Sequence, residues 1–420
     1  MHRRKRRTAW AVVPLACLVC LACLAGANAV AETTLKQAFD AAWARQPEAA
    51  ALNLRRDAAL AQQQAAASWT PEPPALLLSS KTDRFQRNEG VRELEVGVAI
   101  PLWLPGERAR SGALADAESR VVESRALAAQ LRTAGALREA WWQRQRAQVE
   151  LDTARDQLAA ARALAADVAR RLKAGDLARA DQHQADGAVA AADSAEARAA
   201  SALVVASQQL RIASGGAVVS EARSGMPAPE PEPLRDAISA PDAAGHPAVR
   251  DLQDRAAVAG SAAALAATRS RANPELTLAA TRERDLRGER YDPSITLALR
   301  IPFGAGARHA ARLASAEADA TELEVQLATE RERVDAEQVA ARQRVASARA
   351  QLTAAERRAQ LAQESRGFFD KSFRLGNTDL PTRLRIEAEA AEAQRQAGSA
   401  RIEVAAAISQ WRQALGLLPE

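Results

Sequence analysis

The chain repeats itself with an offset of 201 residues. Leu94, Val96, Val98, Ile100 and Pro101 return as Ile295, Leu297, Leu299, Ile301 and Pro302. Pro73 returns as Pro274, Leu151 as Leu352, Gly175 as Gly376 and Gly215 as Gly416. Near the start of each half the spacing slips by one, so Pro47 pairs with Pro247. One offset held through a strand, two turns and a helix implies two copies of one supersecondary unit.

Each copy reads helix, strand, loop, strand, long helix, tight turn, helix. In the first, a helix over about 34–68 is predicted to end at Pro71, Pro73 and Pro74. Strands follow at Ala75–Asp83 and Val91–Ile100. The second alternates cleanly, with Leu94, Val96, Val98 and Ile100 on one face and Glu93, Glu95, Gly97 and Ala99 on the other. After Pro105-Gly106 a proline-free run from about Glu107 to Lys173 is rich in Ala, Arg, Gln, Glu and Leu. Such a helix would be roughly 100 Å long. Leu151/Leu158 and Leu164/Val168/Leu172 mark a coiled-coil seam. Gly175 breaks it, and a return helix runs from about Leu177 to Ala213. The second copy predicts a helix over about 234–271, strands at about 275–283 and 291–301, a long helix over 308–372, a turn at Gly376 and a last helix ending at Gly416.

The domain plan is therefore a leader over 1–31, a first repeat over 32–216, a Pro-rich linker over 217–233 and a second repeat over 234–420. The linker holds Pro227, Pro229, Pro231 and Pro233. The leader has a basic start (Arg3, Arg4, Lys5, Arg6, Arg7), an apolar run from Ala9 to Ala25 and a small-residue site at Ala29-Val30-Ala31, the marks of a secretory signal peptide. Cys17, Cys20 and Cys23 all fall within it, so the mature chain would have no disulfide and no thiolate metal site. For lipidation at Cys23, the Leu expected three residues earlier is replaced by Cys20. The net charge of +5 is the leader's own; without its five basic residues, 52 basic face 52 acidic ones. That balance gives no reason to expect a nucleic-acid partner.

Helices this long do not suit a compact monomer. Only 3% of residues are aromatic, so self-assembly is the natural outcome. The strands have the length that crosses a bilayer when tilted. Leu94, Val96, Val98, Ile100, Ile295, Leu297, Leu299 and Ile301 would face lipid, and the face with Glu93, Glu95, Thr296 and Ala298 a wet lumen. Trp69, Trp103 and Phe303 at the helix end, with Phe85 and Tyr291 at the hairpin end, are placed as interfacial girdles are. Four strands cannot close a barrel, and an open edge in lipid leaves backbone groups unpaired, so closure needs several chains. Three would give twelve strands.

These features resemble the TolC-like outer membrane efflux proteins over essentially the whole mature chain. The resemblance rests on the duplicated plan and two motifs. One is the strand ending in Ile-Pro, Val98-Ala99-Ile100-Pro101-Leu102 and Leu299-Arg300-Ile301-Pro302-Phe303. The other is the turn between long helices, Arg171-Leu172-Lys173-Ala174-Gly175-Asp176-Leu177 and Phe373-Arg374-Leu375-Gly376-Asn377-Thr378-Asp379-Leu380-Pro381-Thr382-Arg383-Leu384. The second turn is most similar to the heavy-metal, CzcC-like branch. The resemblance implies a mainly α fold with a small membrane β part: a homotrimer whose twelve-stranded barrel in the outer membrane continues into a periplasmic helical barrel. Its tip, formed by Gly175, Asp176, Leu177, Gly376, Asn377, Asp379 and Leu380, would dock on a periplasmic adaptor bound to a proton-driven inner membrane pump. The protein would be a passive conduit, not an enzyme, for heavy-metal cations or other small toxic solutes. In some relatives the helix after the second turn carries aspartates that narrow the tip. The matching positions hold Thr382 and Arg385, which leaves Asp181 of the first half as the candidate gate, with Asp176 beside it.

Other chemistry finds little support. His183, His246 and His309 lie far apart with no ligand spacing, so no metal or cofactor site is expected. Gly304-Ala305-Gly306 lacks the Lys and the βαβ setting of a phosphate loop and reads as a strand-to-helix hinge. Two alternatives stay open: a periplasmic adaptor of an efflux pump, and a TolC-like channel for drug or protein export.

Overall fold

A computed structural model describes residues 34–86, 88–216, 229–233, 243–304 and 306–420. The predicted signal peptide and the predicted linker as far as residue 228 lie outside the described residues, as does 234–242, the start of the second predicted repeat. The elements run α1 (Leu35–Ala44), α2 (Pro47–Ala66), β1 (Ala75–Thr82), β2 (Arg92–Pro101), α3 (Glu107–Ala174) and α4 (Arg179–Ala213). After a 3-10 turn at Ala243–Gly245 come α5 (Pro247–Thr268), β3 (Glu275–Arg284), β4 (Asp292–Arg300), α6 (Gly306–Arg374) and α7 (Leu380–Ala414).

The first predicted helix is in fact two. Pro47 occupies the first turn of α2, and α1 closes at Arg45 before it. Proline is favoured at a helix start because it has no N–H to bond backwards, and the residue before it avoids helical angles. Gln46 accordingly has ψ 140, and His246 before Pro247 has ψ 131.

The long helices have 68 and 69 residues and the return helices 35 each. α3 packs along α4, α6 along α7, and α5 lies between α3 and α6. Leu151, Leu158, Leu164 and Val168 on the α3 seam are buried. The widest core is midway along the helices. Trp141 and Trp142 of α3 meet Leu35 and Phe39 of α1, Leu210 of α4 and Ile402 of α7.

Two polar knots hold this frame. Arg138 of α3 donates two bonds, 2.9 and 2.7 Å long, to the buried carboxylate of Glu230, which also lies 3.4 Å from Arg412 of α7. Glu230 belongs to the linker, so this knot pins the linker against both halves. Removing the Glu230 carboxylate would cost about 3–5 kcal/mol, since it leaves Arg138 a buried charge without a counterion, whereas Arg412 keeps Glu420 at 2.9 Å. The second knot is Glu107, fully buried in the first turn of α3. It accepts bonds from the Leu104 N–H at 3.0 Å, Asn273 Nδ2 at 2.6 Å and Arg269 Nε at 2.6 Å. It thereby ties the strand-to-helix corner of one half to the helix-to-strand corner of the other.

At the mid-level, the C-terminal turn after α7 presses on the start of α5. A Cβ on Gly416, whose φ is +75, would lie 2.5 Å from Pro247 Cδ and 3.0 Å from His246 Cδ2. His246 is buried, and its Nδ1 accepts from the Ala248 N–H at 3.3 Å, capping α5. Burial pushes the His246 imidazole below its ordinary value, outweighing the Gln413 carbonyl and the nearby Glu330. A depressed imidazole means the unfolded chain takes up the proton first. Its contribution to stability is therefore complete above about pH 6.5 and declines as pH falls through that value. Melting temperature should drop between pH 7 and 5, and His246→Asn, which keeps a capping acceptor that does not titrate, should flatten that drop.

Candidate functional site

The four strands form one antiparallel sheet in the order β1-β2-β3-β4. The β2–β3 pairing joins the two halves, with Val98 opposite Leu278 and Val96 opposite Ala280. Directly paired residues share a face, so the registers sort every side chain. One face carries Leu76, Leu78, Leu94, Val96, Val98, Ile100, Leu276, Leu278, Ile295, Leu297 and Leu299. The other carries Ser79, Lys81, Glu93, Glu95, Thr277, Thr281, Ser294 and Thr296, with Lys81 paired to Glu93 at 3.6 Å.

Most of the apolar face is bare. Exposure runs from 40% at Val98 to 81% at Ile295, Ile301 just beyond β4 is exposed as well, and only Ile100 and Leu276 at the helix end are partly buried. The polar face is crowded at its base: Ala99 and Ala279 are buried, and a Cβ on Gly97 would come within 2.8 Å of Ala279 Cβ. Small residues on that side fit a sheet curling toward its polar face. β1 and β4 lie at the edges of the sheet, and every residue of both is exposed. Trp69, Phe303 and Phe85 project openly, whereas Trp103 is held by its Nε1–H donating to the Ser68 carbonyl at 3.3 Å.

About 100 Å away along the helices lies the tip. Both turns close in the same way. The Gly175 N–H donates to Leu172 and the Asp176 N–H to Arg171; the Gly376 N–H donates to Phe373 and the Asn377 N–H to Ser372. Gly175 has φ +91 and Gly376 φ +76, the left-handed cap that glycine adopts at low cost. Beneath the turns, Leu164, Val168, Ala185, Phe373 and Leu380 form one buried cluster drawn from both hairpins. The Arg171 guanidinium stacks 4.8 Å from the Phe373 ring and donates to the Phe373 carbonyl at 3.0 Å. Arg383, nearly buried, bonds Asp370.

Of the residues expected at the tip, Gly175, Asp176, Gly376, Asn377 and Asp379 are exposed and Leu177 is partly buried. Leu380 is buried in the tip core, where it can support a docking surface but cannot touch a partner. Leu375, 75% exposed beside Gly376, is the apolar side chain offered outward. The repeat hides it, because its counterpart is Ala174. Asp181 is partly buried, and its carboxylate accepts from the Ala178 N–H at 2.9 Å, closing the first turn of α4. His183 is exposed. Among the described residues no group of three or more His, Cys, Asp or Glu could hold a metal ion. No described helix is long and apolar enough to cross a membrane, which says nothing of a β-barrel.

No protein-family model matches the chain, nor does any curated protein. Solved structures do. The outer membrane protein VceC from Vibrio cholerae is similar with a TM-score of 0.73 and 16% identity, covering 92% of this chain and 97% of that one. CusC, whose structures concern folding and transmembrane channel formation, has a TM-score of 0.74 and 16% identity over 92% of this chain and 93% of that one. The MtrE outer membrane channel of Neisseria gonorrhoeae has a TM-score of 0.72 and 14% identity over 92% and 89%. The chain thus has the fold of these channels, a small antiparallel sheet continued by long helical hairpins. The three likenesses are nearly equal in extent, so the fold does not separate one branch from another.

The open space around Gly376, where an added Cβ would touch nothing within 4 Å, makes its φ the sole cost of substitution. Gly376→Val should lose about 1–2 kcal/mol through the left-handed backbone alone. Gly376→Asn, whose side chain tolerates that region, should lose clearly less in thermal unfolding.

Proposed function

We propose that this chain is the outer membrane channel of a tripartite efflux pump, assembled from three copies and acting as a passive conduit rather than an enzyme. The observation that carries this reading is the sheet: one face apolar and bare, the other polar, both edges unpaired. In lipid such a sheet must close, because bilayer hydrocarbon offers no partner to edge N–H and C=O groups. Three copies supply twelve strands, with β4 of one chain beside β1 of the next.

The helices support the same closure. α5 packs between α3 and α6, whereas its counterpart α2 packs on α3 and touches α1, with no buried residue of its own. Leu54 and Leu60 of α2 are largely exposed. A ring would set α2 against α6 of the neighbouring copy, repeating between chains the contact α5 makes within one. The tip, with Leu375, Asp176, Asn377 and Asp379 outward, is the surface we assign to a periplasmic adaptor, itself bound to a proton-driven inner membrane pump.

Heavy-metal cations or other small toxic solutes are the cargo we infer, the metal part resting on the second turn motif. Asp181 from three copies would form a carboxylate ring at the narrow end, attracting cations.

Leu297→Arg should cost about 2–4 kcal/mol per chain by placing a cation in mid-bilayer. It should deplete heat-sensitive trimers from outer membrane fractions, while Thr296→Arg on the polar face should leave most of them. Equal tolerance of both would sink the barrel. For the gate, Asp181→Asn keeps an acceptor for the Ala178 N–H but removes the charge. In planar-bilayer recordings it should lower cation preference and weaken block by divalent cations. Unchanged selectivity would place Asp181 outside the constriction.

A further inference from the structure

The apolar face of the sheet ends differently at its two ends. Toward the helices it runs out in Ile100, Leu276 and Leu299, followed by the openly exposed Phe303. Toward the hairpin loops it runs into arginine. Arg92 and Arg284 are paired across β2 and β3, and Arg282 follows opposite Leu94. The pairing of Glu283 with Asp292 sets Arg284 opposite Tyr291 on the same face.

Arg92 is paired with Asp83, whereas Arg282 and Arg284 are braced but not neutralised. The Arg282 and Arg284 guanidinium groups lie 4.3 and 4.9 Å from the centre of the one Tyr291 ring. Arg284 Nε donates to the Gly90 carbonyl at 3.2 Å. Among the described residues the ion pairs of the sheet are Lys81–Glu93 and Arg92–Asp83, so Arg282 and Arg284 join neither. Two like charges sharing a ring repel each other unless an anion comes between them. Guanidinium forks match phosphate oxygens two at a time, which a single ammonium cannot do. An arginine at the edge of the hydrocarbon costs little, whereas one at its middle costs several kcal/mol.

We propose that Arg282 and Arg284, stacked on Tyr291 and flanked by Arg92, bind the phosphate groups of lipid headgroups in the outer leaflet. The proposal rests on the membrane-barrel reading, which turns this face to lipid and the hairpins to the exterior. Charge complementarity and position select the occupant: the cations cap the lipid-facing face at the level where headgroups begin. The site would anchor the barrel at a set depth and give it a preference for phosphorylated lipid.

Native mass spectrometry of the full, assembled protein tests this, because it reads assembly and bound lipid in one spectrum. The probe is bisphosphorylated lipid A, with dephosphorylated lipid A as its comparison. Arg282→Gln combined with Arg284→Gln should bind the phosphorylated probe about thirtyfold more weakly, at about 1 kcal/mol per arginine near the surface. The same pair should bind the dephosphorylated probe as the unaltered protein does. Lys81→Gln with Arg300→Gln, which removes two charges from the other face, should leave both affinities unchanged. If the Gln pair fails to assemble, Arg282→Lys with Arg284→Lys takes its place, and weaker binding is again expected because the forks are lost. Equal affinity of the assembled variant and the unaltered protein overturns the proposal alone. Displacement of the lipid by millimolar inorganic phosphate would make this a free-anion site and overturn the lipid assignment. An unaltered chain that stays monomeric and enters no bilayer overturns the barrel reading and the lipid site with it.

Discussion

The hydrogen-bonding demand of β1 and β4 governs this molecule. A four-stranded sheet has two edges, and each presents a row of backbone groups that must find partners. Soluble proteins blunt such edges with charge, proline or a covering helix. Here β1 begins Ala-Leu-Leu-Leu, β4 carries Ile295, Leu297 and Leu299, and both strands are exposed throughout. Water is a poor environment for that surface, and lipid is tolerable only if the edges close on copies of themselves. The bare side of α2 makes the same demand in the helical part.

Where the sheet gives way to helices, the two halves must be kept from twisting apart. Glu107 meets that need at the corner where strand becomes helix, by collecting donors from both repeats. Midway along, Glu230 does the same between α3 and α7. Carboxylates suit both places because one group can accept several bonds in a fixed geometry. At the far end the tie is made by Phe373, packed among side chains of both hairpins and stacked under Arg171. The buried carboxylate knots thus stand at the sheet end and the mid-level, and an apolar cluster joins the hairpins at the tip.

Much of this was legible in the chain. The period-two alternation of Leu94 to Ile100 fixes which side chains share a face, because side chains on a strand have only two directions. The proline-free composition of the long helices and the glycines at 175 and 376 set the hairpins, since one left-handed residue is enough to end a helix. Proline at 47 marks the repeat in the sequence, but only the structure shows it separating α1 from α2. Nothing local in the sequence sets Glu230 or Glu107 apart from other acids, because their partners lie 92 and 162 residues away.

The sequence by itself determined the duplication, the kind of each element and the faces of the strands, all consequences of local sterics and periodicity. Only the tertiary structure decided which strands meet, that β2 pairs with β3 across the two halves, and that Arg282, Arg284 and Tyr291 crown the apolar face. It also decided that Leu380 turns inward while Leu375 turns outward. Those outcomes depend on register and packing between segments far apart in the chain, and no local pattern encodes the distance between them.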